Sequence, residues 1–125
     1  MVQLATKIVD QAPAAPAAAA IDRGHLARMT FGDRSLEREV LQLFDRQADL
    51  LLGRMHTGEP AAVATLAHTL KGSASSIGAT GVRYAAEAVV QAASAAERGL
   101  AIGRLATAID EARAAIAELL GASKG

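Results

Sequence analysis

The 125-residue sequence contains no cysteine, which excludes disulfides and thiolate metal sites and is compatible with a reducing cytosol. Aromatic residues are almost absent, the whole set being Phe31, Phe44 and Tyr84. Neither sign of charge is in excess: 13 Lys and Arg balance 13 Asp and Glu, for a formal net charge of zero. No global field therefore attracts nucleic acid or an anionic membrane. No apolar run reaches the roughly 18 residues that span a bilayer. The N-terminus also lacks the charged-then-apolar pattern of a secretory signal, so a cytoplasmic location is expected. No segment reads as a strand, and there is no internal repeat. At this length the chain has room for one core.

What fills the sequence is alanine, about a quarter of all residues, a composition suited to close-packed helices. Alanine-rich, arginine-over-lysine usage also points to a bacterial genome of high GC content. Residues 1–20 form a separate N-terminal segment. Val2, Leu4, Ile8 and Val9 suit one or two amphipathic turns, and Pro13 and Pro16 turn the Ala-rich remainder into an extended spacer. This segment is either a disordered tail or a piece docked on the bundle or on a partner.

Residues 21–125 read as the domain. Asp22 is placed to cap a short helix reaching about Met29. Gly32 breaks the pattern, and Asp33 restarts it through about Met55, with Leu36, Val40, Leu43, Phe44, Leu51 and Met55 as the apolar stripe. HTGEP, residues 56–60, forms a turn. A helix then runs from about Pro60, a favourable first position, to Ile77, with Gly78 as its C-terminal cap. Thr80 is placed to cap a third long helix through Val82, Ala85, Ala86, Val89, Ala93 and Ala96, which Gly99 ends or interrupts. The last helix carries Ile102, Leu105, Ile109, Ala112, Ile116 and Leu119 at bundle-like spacing. Short connections imply antiparallel neighbours. The expected fold is all-α, an antiparallel four-helix bundle with a short additional N-terminal helix.

The stretch AHTLKGSASSIG, beginning at Ala67, is where this regularity is broken. At about 100° per residue, Val63, Leu66, Ala67, Leu70, Ala74 and Ile77 share one arc that must face the core. His68 lies roughly opposite that arc, Gly72 and Ser75 share its side, and Lys71 stands at its flank. Lys71 is the sole lysine of the expected bundle; Lys7 and Lys124 lie in the terminal segments and ten arginines supply the other positive charges. Gly72 costs about 1 kcal/mol relative to alanine in a helix interior. It leaves space one turn from His68, unless close helix packing is what demands it.

An accessible imidazole is largely neutral near pH 7, so a ring nitrogen can act as a nucleophile. A phosphoryl group accepted there would bring roughly two negative charges, which Lys71 could offset. No carboxylate falls at i−4, i−3, i+3 or i+4 to orient the ring as a general base, and no Gly-rich nucleotide loop is present. The remaining catalytic parts must come from a partner. His25 and His56 sit near helix ends without metal-ligand spacing. Asp45 and Asp49, at i and i+4, have no matching ligands elsewhere, so no metal site is expected.

The run His68-Thr-Leu-Lys71-Gly72-Ser73-Ala74-Ser75-Ser76-Ile77-Gly78-Ala79 closely resembles the signature of histidine-containing phosphotransfer (HPt) domains. There, His-x-x-Lys-Gly is followed by small residues, an apolar residue and glycine. The similarity extends over roughly residues 22–120. The resemblance implies a phosphoryl carrier, not an enzyme, that relays the group between receiver-domain aspartates of a hybrid histidine kinase and a response regulator. His68 matches the phosphorylated residue, Lys71 the lysine that stabilises phosphohistidine, and Gly72 the glycine that admits the receiver. Gln91 is a candidate partner of the ring, one position after a spacing that Val90 occupies here. Glu87 matches a common acidic position or is a solvated charge. Ala64, Ser75, Ala79 and Arg83 are candidates for the docking surface, Arg83 being equally readable as an ordinary exposed arginine. The resemblance further implies a monomer without cofactor, Mg²⁺ residing on the receiver. Two other readings remain open: the dimerisation and phosphoacceptor domain of a sensor histidine kinase, and a non-catalytic helical adaptor.

Overall fold

The computed structural model describes residues 20–124, so the expectations for the N-terminal segment fall almost wholly outside it. Five helices follow one another: α1 (Arg23–Met29), α2 (Arg34–Met55), α3 (Pro60–Ile77), α4 (Thr80–Gln91) and α5 (Ala95–Lys124), and no strand occurs among the described residues. Helix α2 packs on α3, α3 on α4, α4 on α5, and α5 returns to α2, closing a four-helix bundle, while α1 lies against α3. The α2–α5 pairing is antiparallel. Arg38 Nη1 donates to the Leu120 carbonyl at 3.1 Å near one end, and Arg113 Nε meets Asp45 Oδ1 at 2.7 Å further along.

Local chemistry sets the helix ends. The Asp22 and Asp33 carboxylates accept from the backbone N–H groups of His25 and Leu36, each at 3.0 Å, and so satisfy donors that the first turns of α1 and α2 leave free. Pro60 opens α3, where its missing N–H costs nothing. At the other end Gly78 is left-handed, with φ 78°. Ala79 N–H reaches the Ala74 carbonyl at 2.8 Å and Gly78 N–H the Ser75 carbonyl at 3.4 Å, the paired bonds of a Schellman cap.

The core is made of Leu41, Phe44, Ala48, Leu51 and Met55 from α2, and Val63, Ala67, Leu70, Ala74 and Ile77 from α3. Val82, Ala86 and Val89 join from α4, and Leu105, Ile109, Ala112 and Ile116 from α5. Alanines at the crossings let these backbones approach closely, which explains how a bundle with so few aromatics fills its interior.

Three expectations need correction. Leu43 is not in the α2 core stripe but 58% exposed. The buried stripe runs 41, 44, 48, 51, 55, and Leu43 lies about 200° around the helix from Leu41. The third long helix does not reach Gly99. It ends at Gln91, and Ala92 is extended. Ser94 Oγ then accepts from Glu97 N–H at 3.1 Å and starts α5, so Ala93 and Ala96 lie beyond α4 and Gly99 falls inside α5. Finally, Ala79 and not Thr80 occupies the cap position of α4; Thr80 is its first helical residue.

Candidate functional site

Helix α3 turns Val63, Ala67, Leu70, Ala74 and Ile77 inward, and with that face fixed the opposite face must be wet. His68, Gly72 and Ser75 are all exposed along it, Lys71 is half-buried at its edge, and Ala64 is half-buried one turn before His68. Among the described residues the His68 ring has no hydrogen-bond partner. A Cβ added at Gly72 would meet nothing within 4 Å, so close helix packing does not account for this glycine. Gly53, Gly81, Gly99 and Gly103 are equally open; what sets Gly72 apart is its place one turn from the imidazole.

The serines keep the strip low. Ser75 Oγ donates to the Lys71 carbonyl at 2.9 Å and Ser76 Oγ to the Gly72 carbonyl at 3.2 Å. Each hydroxyl is folded back on its own helix and projects little.

Helix α4 brings two further groups to the site. Lys71 Nζ donates to Glu87 Oε1 at 2.7 Å, and Gln91 Nε2 donates to Glu87 Oε2 at 2.5 Å. The Lys71 hydrogen bond is the main force holding the Glu87 carboxyl below its ordinary range. Partial burial opposes it, while the Lys71 charge, the Gln91 hydrogen bond and the charge of the nearby His68 ring add to it. Gln91 thus reaches the site, but its amide is engaged by Glu87 and not by the imidazole. Glu87 was legible only as an acidic position on the following helix. Its bond to Lys71, sixteen residues earlier, depends on how α3 and α4 cross.

The docking candidates divide. Ser75 is exposed and Arg83 half-buried; Arg83 lies over the Tyr84 ring at 4.2 Å. Both line a cavity of about 170 Å³ with Asp22, His25 and Thr80. Ala79 is fully buried at 0% exposure and offers no surface. The Schellman cap that draws its N–H back to Ala74 also tucks its methyl into the core. On the other flank of α3, an apolar groove of about 250 Å³ opens between α1, α2 and α3, lined by Met29, Leu36, Val40, Leu43, Ser73 and Ser76 among others.

No cluster of three or more metal-ligating side chains occurs among the described residues. Asp45 and Asp49 both face Arg113, at 2.7 and 3.4 Å. His56 follows α2 as its exposed cap, and His25 is half-buried beside Asp22. None of the described helices is long and apolar enough to cross a membrane.

No curated protein matches the chain. A family model, the Hpt domain, matches residues 35–120, a span that holds His68, Lys71, Gly72, Glu87 and Gln91 together. With more than half of its length matched, the chain belongs to the Hpt domain family, whose members carry phosphoryl groups on histidine in phosphorelays and interact there with receiver domains.

Proposed function

We propose that this protein relays a phosphoryl group between receiver-domain aspartates, with His68 as the carrier. The observation that carries this reading is the exposed, unpartnered imidazole with a bare glycine one turn away and an ammonium at its flank. The donor is an aspartyl phosphate of a hybrid kinase's receiver, and the acceptor is the aspartate of a response regulator. As the lone pair of a ring nitrogen forms the N–P bond, the aspartyl O–P bond breaks and its electron pair stays with the carboxylate. The other ring nitrogen keeps its proton. The return step reverses these changes on a second receiver.

The chain's part is positioning and charge. Gly72 and the folded-back serines let a partner surface approach the ring, and Lys71 faces the phosphoryl oxygens. Mg²⁺ belongs to the receiver, and the carrier works in the cytoplasm as a monomer with no cofactor or kinase activity of its own. The apolar groove beside Ser73 and Ser76, with the exposed side chains of Met29 and Leu43 lining it, gives receivers a docking face on the helix that carries His68. A bundle closed within one chain, with α5 back on α2, supports this reading over a kinase dimerisation domain, which completes its bundle with a second copy.

The test is transfer of acid-labile phosphate from a phosphorylated receiver to wild type and to His68→Ala. Label on wild type alone is the expected result. Equal labelling of the two rejects the assignment.

A further inference from the structure

Lys71 faces two claims on one ammonium. In the resting protein it is already paired: Nζ is 2.7 Å from Glu87 Oε1, and both side chains are about one-third exposed. Its charge is thereby cancelled by a carboxylate. That carboxylate is itself held from behind, because Gln91, one turn further along α4, donates to its other oxygen. The Gln91 bond favours the present position of the Glu87 carboxylate. Lys71 carries a compact charge with three donors on a flexible four-carbon stem, so its ammonium can turn to a second acceptor.

Phosphorylation of His68 adds roughly two negative charges to this neighbourhood. If Lys71 stays with Glu87, the phosphoryl group lacks a full counter-charge. If Lys71 moves, it leaves a carboxylate uncompensated beside a dianion. Either way the phosphorylated state bears a cost that the resting state does not. We propose that Glu87 is a positioning residue that competes with the phosphoryl group for Lys71, and so shortens the life of phosphohistidine and biases the relay toward onward transfer. This inference rests on His68 being the phosphoacceptor. It assigns the adjacent acid a role opposite in sign to that of the lysine it holds.

The low exposed-pair energies typical of surface charges set the scale, an effect of about 1.5- to 5-fold that shrinks as salt is added. The experiment labels the protein with phosphoramidate, a small donor that needs no docking. It then follows the decay of acid-labile phosphate and its partition with an unphosphorylated receiver. Glu87→Gln keeps the size and hydrogen-bonding reach of the side chain while removing its charge.

The expected result is a phosphohistidine half-life and an equilibrium constant for phosphate on His68 both raised about 1.5- to 5-fold at low ionic strength. In a Lys71→Ala background the same substitution should have a smaller effect, because no ammonium remains to be released. A Glu87→Gln half-life and partition equal to wild type overturn the inference. So does an effect of equal size with and without Lys71, which would make Glu87 a direct repulsor. Wild type that takes no label on His68 instead defeats the functional reading itself, so the two failures are distinguishable.

Discussion

The backbone N–H of Asp22 donates to the carbonyl of Gly78 at 2.8 Å, pinning the start of α1 to the end of α3. A Cβ on Gly78 would lie 2.9 Å from the Asp22 carbonyl oxygen and 3.0 Å from its Cβ, and φ at Gly78 is +78°. The glycine is thus required twice, by its left-handed backbone and by the close approach of another segment. Gly78→Ala should destabilise the fold by more than about 1 kcal/mol, since both a φ penalty and a backbone shift are imposed. Gly53→Ala, at an open position in α2, should stabilise by up to about 1 kcal/mol. Denaturant melts of the two variants check the contrast; equal midpoints would remove the double requirement.

Gly72 is as open as Gly53, but it lies one turn from His68. Nothing surrounds its missing side chain, so Gly72→Ala should raise stability by up to about 1 kcal/mol. Gly72→Gln should fold at least as well as the parent, yet slow receiver-dependent transfer, because the new side chain fills the approach to His68. Labelling by phosphoramidate should change far less, as that donor is small. Stopped transfer assays with both donors test this. Normal receiver transfer in Gly72→Gln would leave the exposed glycine without a role.

The pairing of Glu87 with Lys71 has a signature in acid titration. The Glu87 carboxyl is depressed below its ordinary value near 4.5, chiefly by the Lys71 hydrogen bond. A depressed carboxylate contributes stability above its unfolded value and loses it as pH falls through the folded one. The contribution should therefore be intact at neutral pH and disappear only in acid, below the range where free glutamate titrates. In Lys71→Ala the midpoint should move back up toward the ordinary value. Titration of the Glu87 side-chain carbon by NMR reads this directly, and an unshifted midpoint in the variant would show that Lys71 is not the cause.

Much of this architecture could be read from the residues because each signal is local. Asp22, Asp33, Pro60 and Gly78 mark helix ends by chemistry that needs no distant partner. The outward place of His68 follows from the inward arc of α3 alone. The start of α5 was also written locally, as Ser94 three residues before Glu97, but the alanines on both sides carry helical pattern straight through it. Leu43 reads as a core residue from sequence because apolar character does not distinguish the buried face of α2 from a groove lip. The Lys71–Glu87–Gln91 chain lay beyond reach, since it depends on the rotation and crossing of two helices. The burial of Ala79 depends likewise on the turn between them.

Among the described residues, Phe31 is the one non-glycine residue with a positive φ. It has φ +55° and is 91% exposed, so it gains little burial for an uncommon backbone conformation. It follows Met29 and Thr30, which line the apolar groove beside Ser73 and Ser76, and precedes Gly32, also left-handed at φ 72°. An exposed aromatic in the left-handed region, one residue on from two that line the groove, suits a contact made only with a partner. Asparagine tolerates this region far better than phenylalanine. Phe31→Asn should therefore melt at or above the wild-type temperature while raising the receiver concentration needed for half-maximal transfer several-fold. Phosphoramidate labelling of His68 should be unchanged. If receiver dependence is also unchanged, Phe31 contributes nothing to docking, and any engagement of the groove must come from its own lining residues.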